Sequence, residues 1–181
     1  MASASPAPST TAALSSGGPA IVYLGLGSNL EDPPEQLRRA LAAIRTEISE
    51  GDFAAAPLYR SPPLGGPPQP DYCNSACRFA SSRTPQAILA ALQAIETRHG
   101  RRRDVHWGPR TLDIDLLLYG DVQLKGPGLR VPHPGILQRE FVLAPLLDLN
   151  PDLADPLSGV AYGTTLAALR RAQPSTLRPW I

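Results

Sequence analysis

Apolar residues recur along this chain with two different periods, and the switches between them outline a fold. Ile21-Val22-Tyr23-Leu24 is a β-branched, apolar run that reads as a strand, ended by Gly25-Leu26-Gly27-Ser28-Asn29. Pro33 opens a stretch with Leu37, Leu41, Ile44 and Ile48 on one helical face. Gly51-Asp52 breaks that helix, and Phe53 to Arg60 is expected as a second strand. Residues 61–70 contain five prolines and exclude regular structure. Tyr72 to Ala80 reads as a third strand. Thr84-Pro85 is a helix start, followed by Ile88, Leu89, Leu92 and Ile95 at helical spacing and closed by Gly100. Leu112 to Tyr119 is a fourth strand, closed by Gly120-Asp121. The order β-α-β-β-α-β predicts an α+β fold, a ferredoxin-like sheet with helices on one face. An added C-terminal segment, 122–181, carries a short strand at Val122–Leu124, proline-rich turns and a helix at Thr165–Arg171. There are no internal repeats.

Of residues 1–20, 18 are Ala, Ser, Pro, Thr or Gly, and none is charged. Such a stretch lacks the continuous apolar run of a secretory signal and the arginines of a transit peptide. It is expected to be a disordered tail, leaving 21–181 as a single domain. Within 181 residues, 17 basic and 16 acidic side chains leave a net charge of +1, so bulk charge argues for neither nucleic acid nor a membrane surface. No apolar run approaches the roughly 18 residues that span a bilayer. Cys73 and Cys77 lie four apart in a strand, about 13 Å, too far for one disulfide. A reduced, cytoplasmic monomer is the expectation.

Chemistry concentrates in one place. Within the most apolar strand, Leu112, Ile114 and Leu116 take one face while Asp113 and Asp115 share the other. Two carboxylates about 6–7 Å apart along a strand repel each other and are costly to desolvate. They are either capping or salt-bridged aspartates, or a pair that shares one or two divalent cations. Hard oxygen ligands favour Mg²⁺, which normally draws its remaining ligands from phosphates and water, so a nucleoside triphosphate is the implied partner. Just upstream, Arg101, Arg102, Arg103 and Arg110 surround Asp104 and Trp107. A charge run of this kind is a solvated face in isolation. Beside a metal-binding pair it can neutralise polyphosphate, and the indole can stack on a flat heterocycle. Nucleic acid phosphates would suit the same arginines, but aromatic content is only 6% and no second basic patch exists, so no nucleic acid partner is expected. Gly25-Leu26-Gly27-Ser28-Asn29-Leu30 lacks the third glycine of a dinucleotide fingerprint. Lys125 is the sole lysine and follows no glycine-rich loop, which excludes a Walker-type loop.

Four stretches together resemble the 6-hydroxymethyl-7,8-dihydropterin pyrophosphokinases of folate biosynthesis. They are Leu24 to Leu30; Tyr59 to Gly65 with Gln69 to Asn74; Gly100 to Asp115; and Val131 to Pro134 with Arg139 to Leu143. The family run Arg-Trp-Gly-Pro-Arg-Thr-Leu-Asp-Leu-Asp reads His106-Trp-Gly-Pro-Arg-Thr-Leu-Asp-Ile-Asp115 here. The resemblance implies transfer of diphosphate from ATP to the pterin hydroxymethyl group, with AMP released. It implies that Asp113 and Asp115 bind two Mg²⁺, and that Arg101, Arg103 and Arg110 contact phosphates on a catalytic loop. Gln93, Glu96, Trp107, Leu116, His133 and Arg139 would complete the ATP site. Ser61, Pro62, Pro63, Leu64, Tyr72, Asn74, Trp107 and Phe141 would hold the pterin, with Asn74 reading its hydrogen-bonding edge. Three positions depart from relatives: Asp104 replaces a lysine, Arg130 a threonine and Pro134 an aromatic residue.

Overall fold

A computed structural model describes residues 18–100 and 109–181. Strand β1 (Ala20–Ser28) runs into helix α1 (Pro33–Glu47), where Asp32 caps the first turn by accepting from the Glu35 N–H. β2 (Gly51–Ala55), β3 (Tyr59–Ser61) and β4 (Tyr72–Ser81) follow, then α2 (Pro85–Arg98), capped by Thr84 Oγ1 accepting from Ala87 N at 3.2 Å, and β5 (Asp113–Tyr119). The C-terminal segment adds a β6 (Leu124–Gly126) and β7 (Leu129–Val131) hairpin, α3 (Glu140–Leu149), α4 (Tyr162–Ala172) and β8 (Arg178–Pro179). The main sheet runs β5-β1-β4-β3-β8, with β2 also paired to β4, and its pairings are antiparallel.

Alternation along the central strands sorts their side chains into two cores. Val22, Leu24 and Leu26 of β1, Cys73, Cys77 and Phe79 of β4, and Ile114 and Leu116 of β5 pack with Leu37, Ile44, Ile88, Leu92 and Ile95 of α1 and α2. Tyr23, Ala76, Leu117 and Leu118 face the other way, toward Leu143 and Leu146 of α3 and Tyr162 and Leu166 of α4. The two helices of the βαββαβ core thus share a face, as its pattern predicts, and the added segment supplies two more to the opposite face. Leu117 is an extra residue on β5: Tyr23 pairs with Leu118 but Leu24 with Leu116. This bulge ends the strict alternation, so Leu117 and Leu118 join the same core.

Several boundaries differ from the sequence expectations. Phe53–Arg60 is not one strand: Ala56-Pro57-Leu58 interrupts it, and proline cannot supply a ladder N–H. Gly51 and Asp52 begin β2 rather than merely breaking a helix, with Asp52 at φ 52°. The short strand expected at Val122–Leu124 begins instead at Leu124, because its partner is set by the turn at Gly128 (φ 76°). Helix α4 starts three residues before Thr165. Helix α3 was not anticipated. Its sequence is apolar nearly all round and contains Pro145, so it shows neither a helical stripe nor a clean helix signal. Cys73 and Cys77 are free, buried thiols whose titration burial pushes upward. Of the expected tail, residues 1–17 lie outside the described residues.

Candidate active site

The second face of the sheet is only partly covered by α3 and α4. Where they leave it bare, a cavity of about 330 Å³ opens, floored by Gly25 and Gly27 of β1. Those glycines sit on the face of Tyr23, where any side chain would occupy the cavity. A Cβ on Gly25 would approach Leu117 Cδ1 to 3.1 Å. Register does the rest. Gly27 pairs with Asp113 on one side and Asn74 on the other, and Gly25 pairs with Asp115 and Ala76. The two aspartates and Asn74 therefore face one space, with Asp113 and Asn74 two strand spacings apart, about 10 Å.

At one end of the cavity Asp113 and Asp115 are half-buried. The Arg110 guanidinium pairs with the Asp113 carboxylate. Burial, with the neighbouring Asp113 charge, pushes the Asp115 carboxyl above the usual carboxylate range, partly countered by His133, Arg139 and Arg110. His133 and Arg139 come from the turn after β7. The Gly135 N–H donates to His133 Nδ1 at 3.1 Å, which leaves the ring proton on Nε2 in the neutral form. Gly135 also seats the arginine: a Cβ there would stand 3.0 Å from the Arg139 Cζ and Nη1.

At the other end, Asn74 is buried, and its Nδ2 donates to Ser61 Oγ at 2.9 Å, which orients the amide. Its Oδ1 accepts no hydrogen bond among the described residues. Tyr72 forms one wall, its hydroxyl donating to Gln69 Oε1 at 3.1 Å, and burial raises its titration. Phe141, from the first turn of α3, forms a second wall. Ser61, Pro62, Pro63, Leu64 and Gly65 complete the rim. The loop from 61 to 71 is closed at its base by Arg60 Nε donating to Asp71 Oδ2 at 2.8 Å.

The fold thus brings together Ser61, Pro62, Pro63, Leu64, Tyr72, Asn74, Arg110, Asp113, Asp115, Arg139 and Phe141. Other expected site residues lie elsewhere. Glu96 is buried behind the sheet, where its Oε1 accepts the Ile114 N–H at 2.7 Å. Among the described residues β5 is an edge strand, so that N–H has no strand partner there, and the carboxylate supplies one. Gln93 is exposed on α2 and does not line the cavity. Leu116, expected at the ATP site, points its side chain into the opposite core, as alternation from Asp115 requires. His133 stands beside the cavity without lining it. Arg101, Arg103, Asp104 and Trp107 lie outside the described residues. Sequence reasoning gave no role to Gly25, Gly27, Gln69 or Val142, all of which line the cavity. Two glycines on one face of a strand were the available signal, since a glycine inside a strand marks close approach of a ligand or backbone.

A carboxylate pair with arginines at one end and an aromatic slot with an amide reader at the other define a class: an enzyme joining a phosphate donor to a flat heterocyclic acceptor. Residues 23–151 match the family model for 7,8-dihydro-6-hydroxymethylpterin-pyrophosphokinase. A 2-amino-4-hydroxy-6-hydroxymethyldihydropteridine pyrophosphokinase of Pseudomonas aeruginosa is 48% identical over 135 residues, 75% of this chain and 83% of the relative. The enzyme of the same description from Haemophilus influenzae is 41% identical over 138 residues, 76% of this chain and 86% of its own length. Among solved structures, a Plasmodium falciparum HPPK-DHPS triple mutant superposes with a TM-score of 0.70 at 12% identity, over 91% of this chain and 48% of that one. This chain spans about half the length of that structure, and the likeness there is one of fold. The chain belongs to the 7,8-dihydro-6-hydroxymethylpterin-pyrophosphokinase family. It is an ATP-dependent diphosphotransferase of folate synthesis, moving pyrophosphate from ATP to hydroxymethyldihydropterin.

Proposed function

We propose that the cavity is where this transfer occurs, with the pterin between Tyr72 and Phe141 and the ATP polyphosphate over Asp113, Asp115, Arg110 and Arg139. One observation carries the reading: Asp113, Gly27 and Asn74 form a single row across three strands. Their spacing suits a two-ring heterocycle reaching with its hydroxymethyl arm from the amide to the carboxylates. Asn74 Oδ1 would accept from the amino or ring N–H edge of the pterin, and the backbone of Ser61 to Leu64 would complete that edge.

Asp113 and Asp115 fit Mg²⁺. They are hard oxygen donors, and among the described residues no group of three or more His, Cys, Asp or Glu could enclose an ion. A site with so few protein ligands suits a metal that keeps waters and substrate phosphates, and two ions are our reading. Bound there, Mg²⁺ would neutralise phosphate charge and polarise the phosphorus under attack. The chain's own contribution is positional. The aromatic walls fix the ring plane, Asn74 fixes its rotation, and the hydroxymethyl oxygen is held in line with the β-phosphorus so that AMP leaves. Arg110 and Arg139 offset charge on the transferred group, joined in this reading by Arg101 and Arg103, while the Trp107 indole stacks on a flat ring of the bound substrates. Gln93, Glu96, Leu116 and His133 act around the nucleotide through their neighbours. In this reading the protein is a cytoplasmic monomer. Its near-neutral charge and the absence of any membrane-length apolar helix among the described residues are compatible with that.

Two variants test it together. Asp115→Asn keeps the shape and removes one charge, so Mg²⁺-dependent turnover should fall by orders of magnitude with the melting temperature kept. Asn74→Ala should weaken pterin binding by about tenfold or more, one lost hydrogen bond in a buried site, while ATP-analogue binding stays within about twofold. Near-normal turnover in the first, or equal loss of both ligands in the second, would sink the assignment.

A further inference from the structure

Between the two half-sites lies a side chain that neither uses directly. Asn29, just past β1, is 2% exposed. Its Oδ1 accepts the Arg110 N–H at 2.8 Å, and its own N–H donates to Arg110 O at 3.0 Å. Its Nδ2 donates to Gln69 Oε1 at 3.0 Å and to Pro70 O at 3.1 Å. Gln69 Oε1 in turn accepts from the Tyr72 hydroxyl. One amide therefore joins the residue that holds Asp113 to the loop that builds the aromatic wall. The connected segments lie 40 and 81 residues away in sequence.

We propose that Asn29 is a positioning residue that sets the distance between the two bound substrates. The proposal rests on the substrate placement above. The amide is the right group for this task, because it offers an acceptor to one segment and two donors to the other. Asn29 has no place in the cavity lining, so it acts through Arg110, Gln69 and Pro70. Its burial makes each bond exacting, since a partner left unpaired there has no easy access to water. Phosphoryl transfer is steep in geometry: misplacing reactants by about 1 Å can cost 10²-fold in rate. A loose joint between half-sites would therefore damage turnover far more than the binding of either substrate alone.

The experiment measures three quantities on the full chain: kcat, the Kd of a non-hydrolysable ATP analogue alone with Mg²⁺, and the Kd of the pterin alone. Asn29→Leu removes every side-chain bond at similar volume. Asn29→Ser is the milder companion, since its hydroxyl is too short to reach Gln69 and Pro70, and it leaves no bulky group to disturb folding. We expect kcat to fall about tenfold or more in both, with each separate Kd within about threefold of the parent. Unchanged kcat in a folded Asn29→Ser protein overturns the proposal. So does a fall in kcat matched by equal losses in both separate affinities, because Asn29 would then merely build the half-sites. Asn74→Ala run in parallel separates the two ideas. If it leaves pterin affinity intact, the placement of the pterin is wrong, whereas normal loss there with unchanged Asn29→Ser turnover rejects only the joint.

Discussion

Glu96 offers a sharp test of structure against motif, because resemblance places it at the nucleotide while the fold places it behind the sheet. Glu96 is 4% exposed, and its carboxylate accepts the N–H of Ile114, the residue between the two aspartates, at 2.7 Å. Glu96→Leu keeps most of the volume but leaves that edge-strand N–H without an acceptor in a buried setting, at about 1–3 kcal/mol. In a chain of this size each kcal/mol moves the melting temperature by about 2–4 °C, so a fall of roughly 2–12 °C is expected. Glu96→Gln keeps an acceptor oxygen for that N–H and weakens the bond by its charge assistance, about 1 kcal/mol, or roughly 2–4 °C. Thermal unfolding without ligands gives both numbers. ATP-analogue titration well below the transition then shows whether affinity survives. The expected order of stability is parent, Gln, Leu, with analogue affinity in the Gln variant near that of the parent. A Leu variant that melts with the parent yet binds the analogue an order of magnitude more weakly would refute the reasoning and make Glu96 a nucleotide contact.

Two further outcomes follow from individual contacts. His99 is held below its ordinary value of 6.5 by burial and by the charges of Arg39 and Arg98, while its Nδ1 meets Gln36 Oε1 at 2.7 Å. The unfolded chain therefore takes up this proton first, and stability should be lost as pH falls from 6.5 toward the lower folded value. In denaturant titrations His99→Gln should flatten that slope, and an unchanged slope would reject the cause. Gly135 has an ordinary φ of −79°, so Gly135→Ala strains no backbone but sets a methyl 3.0 Å from the Arg139 guanidinium. Turnover should fall a few-fold with the melting temperature within about 1 °C, and parent-like kinetics would show that Arg139 has other room.

Local pattern carried much of this protein. Alternation in 112–119 put Asp113 and Asp115 on one side and Leu112, Ile114 and Leu116 on the other, and the structure keeps that arrangement up to the bulge at Leu117. The starts of α1 and α2 were visible in Pro33 and Thr84-Pro85, because caps and proline placement act within one turn. Periodicity was silent where a segment is apolar on nearly every face, which hid α3 and, with it, the element that carries Phe141 over the cavity. The opening itself was also invisible. It exists because α3 and α4 cover only part of a sheet face on which β1 presents Gly25 and Gly27. The roles of Asn29, Gln69 and Glu96 depend on strand register and on contacts between segments 18 to 81 residues apart. Side-chain period is a property of neighbours in the chain and can be read along it. Which amide meets which carbonyl across the sheet is decided only when the two cores close, so that part of the site belongs to the tertiary structure.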